Sequence, residues 1–253
     1  MLTVPQMDFL KRLDNEEITL FTVKDFASET GNKNEIIENL ADKGFLHRIE
    51  RGKYCRSTFR DEYVIGAFIA PDSAIAYWSA LNLYGLTEQF PNTIFVQTTY
   101  RKNPVTIFGT EYRFVRINPQ KKIGIVSNGY GNYKYPVTNL EKTIVDCFDL
   151  PQYSGGYAEL IRAFYRVELN AEKLINSCIA ANNIAATKRI GFLSELFNKK
   201  ELTPFVEFAR TKVNRTYNLI DPFGENTGEP DCAWYLRLNL SKGHIFRIAE
   251  NRY

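Results

Sequence analysis

Apolar residues recur at helical spacing in the first fifteen positions, where Leu2, Phe9, Leu10 and Leu13 share a face and predict a helix running to about Asn15. A second helix is expected from Thr22, whose hydroxyl suits a cap over Asp25, with Val23, Phe26 and Ala27 on one face and Gly31 as the stop. Asn32 then caps a third. In that helix Ile36, Ile37, Leu40 and Ala41 form the apolar stripe, Lys33, Asn34, Glu35 and Glu38 face outward, and Gly44 stands where a left-handed residue closes the last turn. The pattern then changes period. Phe45 to Ile49 alternates as a strand does, Glu50-Arg51-Gly52-Lys53 reads as a turn, and Tyr54 to Ser57 is the return strand. Helices in helix-turn-helix order followed by a tight hairpin predict a winged helix over residues 1–60.

From residue 61 the pattern describes a larger unit. Asp61 to Ala70 and Ser73 to Tyr84 read as helices. Strand-like runs follow at Thr93 to Thr99, Val105 to Phe108, Glu111 to Ile117, Ile123 to Ser127 and Tyr133 to Val137, separated by Gly-, Asn- and Pro-containing turns. Helical periodicity returns over roughly 139–149, 155–166, 170–181, 184–198 and 201–212. The segments Arg215 to Ile220, Trp234 to Leu240 and Ile245 to Ile248 read as extended. The expected fold class is therefore α+β: an N-terminal winged helix-turn-helix at 1–60, then a mixed α/β C-terminal domain at 61–253, with its sheet at roughly 93–137 and its helices at roughly 139–212.

Composition narrows the function classes. The 253 residues are 44% hydrophobic, the balance of a chain that buries a core. Thirty-two basic against twenty-nine acidic side chains leave +3, too little for a protein whose whole surface grips phosphate, so any nucleic-acid site is local. No basic region followed by an apolar run opens the chain, and no apolar stretch approaches the ~20 residues that span a bilayer, so a cytoplasmic protein without membrane contact is expected. Cys55, Cys147, Cys178 and Cys232 are widely spaced, and with His47 and His244 they form no ligand cluster. Reduced thiols and no structural zinc are expected.

Charge by segment is more informative. The first sixty residues are close to neutral, yet the expected hairpin carries Arg48, Arg51, Lys53, Arg56 and Arg60 against Glu50 alone. These positions meet phosphates on either side of a groove, while Asn32, Lys33 and Asn34 open the helix that enters it and reach base edges. Glu35 and Glu38 on that helix repel phosphate, so two half-sites or self-association on DNA are expected.

Catalytic chemistry finds less support. Glu141, Asp146 and Asp149 share a helix, but positions 141 and 149 lie about 80° apart around it and Asp146 points elsewhere. Asp221, Glu225, Glu229 and Asp231 lie among Pro and Gly, the composition of a solvated loop. Asn128-Gly129-Tyr130-Gly131-Asn132 has no phosphate-binding spacing and reads as a hairpin turn. Lys188, Arg189, Lys199, Lys200, Arg210, Lys212 and Arg215 outnumber Glu195, Glu201 and Glu207, which suits a solvated helix surface or a second anion-contacting face. No enzymatic activity and no cofactor are assigned.

Five segments carry a resemblance. Lys43 to Tyr54 (KGFLHRIERGKY) resembles the wing of the AbiEi-type antitoxins, the bacterial abortive-infection regulators of type IV toxin–antitoxin systems. Tyr77 to Gln89 (YWSALNLYGLTEQ) and Val137 to Asp146 (VTNLEKTIVD) are similar to two further segments of that family, and Gly155-Gly156-Tyr157 and Arg189 to Leu193 (RIGFL) match two more in the same order. Lys142 stands where the family has arginine. The resemblance implies a winged-helix repressor of its own operon, bound to double-stranded promoter DNA, whose C-terminal domain counteracts a nucleotidyltransferase toxin in phage defence without a stable complex. A stand-alone regulator with a ligand-sensing or dimerising C-terminal domain is the alternative. A metal-dependent nuclease built on Glu141, Asp146 and Asp149 is a third reading.

Overall fold

The computed structural model describes residues 1–26, 32–89 and 92–251. Ala27 and Gly31 of the expected second helix lie outside them. The described residues form an α+β protein with ten α-helices and twelve strands.

Helix α1 (Val4–Asn15) begins with Pro5 in its first turn and with Gln6 Oε1 accepting the Thr3 N–H at 3.1 Å. Thr22 then departs from expectation. Leu20–Thr22 is a strand, β1, paired antiparallel with residues 53–55, and only a single 3₁₀ turn, Val23–Phe26, follows. The cap runs in the opposite sense as well, since the Asp25 carboxylate accepts the Thr22 N–H at 2.7 Å. Helix α2 (Lys33–Asp42) follows its reading: Asn32 Oδ1 accepts the Glu35 N–H, and Gly44 takes φ +77°. Strands β2 (Leu46–Glu50) and β3 (Lys53–Arg56) make the expected hairpin, and β1 joins its free side in the order β1-β3-β2. Phe9, Phe21 and Phe26 meet edge to face with centroids 5.0–5.9 Å apart, and with Ile37, Leu40, Leu46 and Tyr54 they fill the core of this module.

Asp61 caps α3 (Glu62–Ile69), accepting the Val64 N–H at 2.9 Å. The expected helix over Ser73 to Tyr84 is split: Ala74–Ile75 is a strand, β4, and α4 covers Tyr77–Leu83. Two residues are too few to show a period. Tertiary pairing selects them, with Ala74 and Ile75 opposite Gln97 and Val96 and Ile75 opposite Val137. Strands β5 (Thr93–Thr98), β6 (Val105–Ile107), β7 (Thr110–Arg116), β8 (Ile125–Asn128) and β9 (Tyr135–Thr138) complete a six-stranded sheet of order β6-β7-β5-β4-β9-β8. Its β5–β7 and β4–β9 pairs are parallel and the rest antiparallel.

Helices α5 (Leu140–Asp149), α7 (Ala171–Ala181) and α8 (Ile184–Leu196) start at Asn139, Asn170 and Asn183, each accepting a backbone N–H three residues on. With α6 (Tyr157–Arg166) and α9 (Thr203–Lys212) they bury one face of the sheet beneath Ile144, Phe148, Leu160, Phe164, Ile190 and Leu193. The other sheet face packs on α3 and on β2–β3 through Ile49, Cys55, Phe59, Ile65 and Tyr112. A small sheet follows, β10 (Asn218–Leu219), β11 (Glu229–Asp231) and β12 (Leu236–Leu238), in the order β10-β12-β11. Ile245 to Ile248 is helical, not extended. It lies in α10 (Lys242–Ala249), where the Ser241 hydroxyl accepts the His244 N–H at 3.2 Å and Ile245 and Ala249 are buried four residues apart. No helix among the described residues is long and apolar enough to cross a membrane.

Candidate nucleic-acid interface

The β2–β3 hairpin lies between two cores, and this decides which of its cations are available. Side chains alternate across a strand, so Leu46 and Tyr54 enter the core beneath α1 and α2, while Ile49 and Cys55 enter the core shared with α3 and the large sheet. A hairpin with one free face would expose every second residue. This one is covered on both faces, and its free surface is the turn and its margins.

Arg48 and Arg51 are exposed as expected. Lys53 is not: its Nζ donates to the Ile69 carbonyl at the end of α3, lies 3.5 Å from Glu50 Oε2 and sits 5.7 Å from the centre of the Phe68 ring. Burial there holds its ammonium below the ordinary lysine value, and the Glu50 carboxylate opposes that shift. Arg56 points toward α1, where its Nη2 meets Asp14 Oδ1 at 2.5 Å. Arg60, exposed, lies over the Phe108 ring at 4.1 Å and donates from Nη2 to His47 Nε2 at 3.0 Å. The expected row of five exposed cations is thus reduced: Lys53 is drawn against Glu50 and the end of α3, and Arg56 is held by Asp14 of α1 within the module.

The start of α2 is less basic than its position suggested. Asn32 spends its side chain on Glu35, as N-cap acceptor at 3.4 Å and as donor from Nδ2 to Oε2 at 3.0 Å. Lys33 is half-buried and Asn34 is exposed. The exposed side of the helix carries Glu35, Glu38 and Asp42, and the Tyr54 hydroxyl feels both Glu38 and Asp42 together with Arg48. Arg48 therefore lies where the hairpin meets the acidic side of α2.

One neighbour escaped the sequence reading. Lys102 Nζ reaches Glu50 Oε1 at 2.5 Å and brings the 99–104 loop, with exposed Tyr100 and Arg101, against the turn that holds Arg51. Fifty residues separate the two segments, and nothing local to either announces the meeting.

The other candidate groups separate in space. Glu141 Oε1 accepts the Asn170 N–H at 2.9 Å, Asp146 is buried beside Lys142, and Asp149 pairs with Lys121 and accepts from Asn183 Nδ2 at 2.8 Å. Three carboxylates with three different partners do not converge on a metal. No cluster of three or more His, Cys, Asp or Glu side chains suited to a metal occurs among the described residues. Burial raises the Asp146 carboxyl to about 6 despite Lys142, and its Oδ2 has no partner among the described residues. Asp231 caps the turn at Trp234, accepting its N–H at 2.9 Å. Asn128 to Asn132 forms the expected turn between β8 and β9, and Asn132 Nδ2 donates to the Glu17 carbonyl at 2.9 Å. Burial pushes the Cys55 thiol to about 11 and the Cys178 thiol to about 12, away from nucleophilic use.

The late basic run divides in the same way. Lys188 is fully buried, its Nζ donating to the Thr216 carbonyl at 2.6 Å, to Asn214 Oδ1 at 3.2 Å and to the Tyr235 carbonyl at 3.3 Å. Arg189 Nε donates to the Leu219 carbonyl at 2.9 Å, and Lys199 Nζ to the Val167 carbonyl at 2.7 Å. Arg210 pairs with Glu195 at 2.6 Å and lies over Trp234. These cations fasten the chain that follows α8, so neither a solvated surface nor an anion-binding face describes the run as a whole.

Segments that carried the family resemblance meet in pairs. A Cβ on Gly155 would stand 2.5 Å from the Trp78 indole, and Thr87 Oγ1 donates to Glu159 Oε2 at 3.1 Å, joining the 77–89 segment to the 155–159 segment. Gly191 lies under Trp234, where a Cβ would come within 2.2 Å of the ring. Their visible work is packing.

No family model matches the chain, and no curated protein matches it. Among solved structures, the chain is similar to the crystal structure of the RV2827C protein from Mycobacterium tuberculosis, with a TM-score of 0.65 over 99% of this chain and 96% of that one at 12% sequence identity. At that identity the likeness is one of fold.

Proposed function

We propose that the N-terminal module is a winged helix-turn-helix, that α2 and the β2–β3 hairpin bind double-stranded DNA at the chain's own promoter, and that the protein is an autorepressor and antitoxin. The observation that carries the DNA half is the pair of exposed arginines, Arg48 and Arg51, on a hairpin held rigid between two cores. Arg51 leads into the groove margin, Arg48 contacts the backbone, and Asn34 is the residue of α2 free to reach a base edge. Asn32, Lys53 and Arg56 act by holding α2 and the hairpin in place. A gel-shift assay on the upstream DNA tests this, with Arg48→Glu and Arg51→Glu expected to abolish the shift in a chain that melts as the wild type does. A retained shift overturns the reading.

The antitoxin half rests on the resemblance of the five ordered segments. Its test is co-expression with the neighbouring nucleotidyltransferase gene, where growth is expected to recover. Continued arrest removes it.

A specific observation favours a second reading, a regulator that senses a ligand. A cavity of about 380 Å³ lies between the module and the large sheet, lined by Glu17, Leu20, Val64, Phe68, Asn132 and Lys134. A ligand there would touch both units at once.

A further inference from the structure

The two edges of the six-stranded sheet are built differently. At one, β6 has three residues, starts directly after Pro104 and ends in the Phe108–Gly109 turn beneath the Arg60 guanidinium. Brevity, proline and a covering cation are devices that keep an edge from pairing. At the other, β8 is also short, with four residues, but it contains no proline and, among the described residues, no cation is stacked over it. No side chain from Ile123 to Tyr133 is charged, and Val126, Ser127 and Asn128 are exposed, Val126 at 44%.

Two backbone bonds fix which groups of β8 face outward. The Asn139 N–H donates to the Gly124 carbonyl at 2.6 Å, and the Tyr133 N–H to the Tyr130 carbonyl at 2.9 Å. Bonded and non-bonded pairs alternate along an antiparallel ladder, so counting inward from both ends makes Val126–Val137 and Asn128–Tyr135 the bonded pairs. Ile125–Thr138 and Ser127–Pro136 are then non-bonded, as a proline without an N–H requires. The N–H and C=O groups of Ile125 and Ser127 point out of the sheet. Among the described residues nothing outside the ladder bonds to them, whereas the next outward N–H, that of Gly129, is taken by Asn128 Oδ1 at 2.7 Å.

We propose that β8 is a self-association surface: two copies of the chain join β8 to β8 antiparallel about a two-fold axis through Val126, extending one sheet into the next. The outward residues, 125 and 127, lie symmetrically about 126, so the strand is its own antiparallel complement. Ile125 of one copy exchanges both backbone bonds with Ser127 of the other, and Val126 meets Val126 as a close non-bonded pair. Lys122 falls opposite Tyr130 of the second copy and not opposite its own equivalent, so no like charges face each other. This inference stands on the sheet alone and does not depend on the DNA reading.

Sedimentation equilibrium of the full-length chain tests it, with a concentration-dependent monomer–dimer equilibrium expected. Val126→Lys sets two ammonium groups against each other at the axis, and Ser127→Pro removes an outward N–H that the ladder does not use. Both are expected to be monomeric with unchanged circular dichroism. The register has its own test in a Cys232→Ser background, since Cys232 is the exposed thiol. Val126→Cys is expected to form a disulfide-linked dimer under mild oxidation, because directly opposed non-bonded residues lie within disulfide reach. Ser127→Cys is expected to dimerise without forming a disulfide, its two sulfurs being offset along the strands. A wild-type chain that is monomeric throughout, folded Val126→Lys and Ser127→Pro chains that both still dimerise, or linkage at 127 without linkage at 126 each overturns the proposal.

Discussion

The β2–β3 hairpin and helix α8 both carry basic residues, and the molecule uses the two sets in opposite ways. At the hairpin, Arg48 and Arg51 stand exposed beside Lys53 and Arg56, which are drawn into ion pairs. At α8, Lys188 and Arg189 are buried and face carbonyl oxygens of the chain that returns over the helix. The difference lies in what covers each position and not in the residue types. A cation beneath returning backbone becomes a fastener for that backbone, and one at the tip of a clamped turn remains available to an external anion.

The largest test of this contrast is Lys188→Ala. It takes the Nζ donor from the Thr216 carbonyl and from Asn214 Oδ1, while the Tyr235 carbonyl keeps the Asn218 N–H, and we expect a loss of about 2–3 kcal/mol in chemical denaturation. A loss under about 1 kcal/mol would mean that the tail docks without the fastener. The pH dependence sharpens it. Burial lowers Lys188 to about 8 from the ordinary 10.5, so between those values the unfolded chain binds the proton that the folded chain has released. The pH-dependent part of this group's contribution is therefore full above 10.5 and lost as pH falls through about 8, where the hydrogen bonds remain but the buried charge offsets part of their gain. Subtracting the profile of Lys188→Met from that of the wild type is expected to isolate a rise across this window.

A glycine in each region gives the next comparison. Gly191 lies in α8, where alanine normally favours a helix by about 0.5–1 kcal/mol, but its Cβ would stand 2.2 Å from the Trp234 ring. Overpacking reverses the sign, and Gly191→Ala is expected to cost about 1–3 kcal/mol with a change in tryptophan emission. Gly52 in the hairpin turn has open space around it and φ +72°. Alanine there is expected to cost only its left-handed backbone, about 1–2 kcal/mol, with emission unchanged. Equal emission changes would show that the hairpin and the tail are not separate in their packing.

Much of this fold is legible in the chain where local chemistry decides it. Asn139, Asn170 and Asn183 announce three helices, and Asp61 a fourth, because an N-cap acts within one turn. The hairpin is legible from its alternation and its glycine. Thr22 misleads because β1 exists only through its pairing with β3, some thirty residues away, and Ala74–Ile75 because two residues have no period. At the candidate site, alternation shows that every second hairpin residue is inward but not that a second core covers the remaining face. Exposure of Arg51 and burial of Lys53 are consequences of α3 and the 99–104 loop, which the local sequence cannot report.

Salt dependence separates the two cation sets more finely. If Arg48 and Arg51 each neutralise a phosphate, replacing both with alanine is expected to reduce the slope of log K against log salt by about 2. Unfolding stability should change by no more than about 0.5 kcal/mol, as at other exposed positions. Removing the buried cations should do the reverse, lowering stability with no change in slope for the fraction that remains folded. An unchanged slope in the arginine variant would place the phosphate contacts elsewhere, with exposed Arg101 beside the turn as the next position to test.

The smallest expected effect is also the most local. Arg48 shares the surroundings of the Tyr54 hydroxyl with Glu38 and Asp42, so a phosphate approaching Arg48 also approaches these carboxylates. Glu38→Gln removes one of those charges and keeps the shape of the side chain. On the winged-helix reading, in which α2 faces the groove, anisotropy titrations at low salt should show tighter binding by a few-fold, the size of a surface charge interaction of about 0.5–1 kcal/mol. The gain should disappear as salt rises and screens it. Glu16 lies at the far end of α1, exposed and paired with Arg12 at 2.8 Å, so Glu16→Gln serves as the control for net charge alone. Equal gains from both variants would assign the effect to the overall field, whereas a gain confined to Glu38 would put DNA against the side of α2 that carries Asn34.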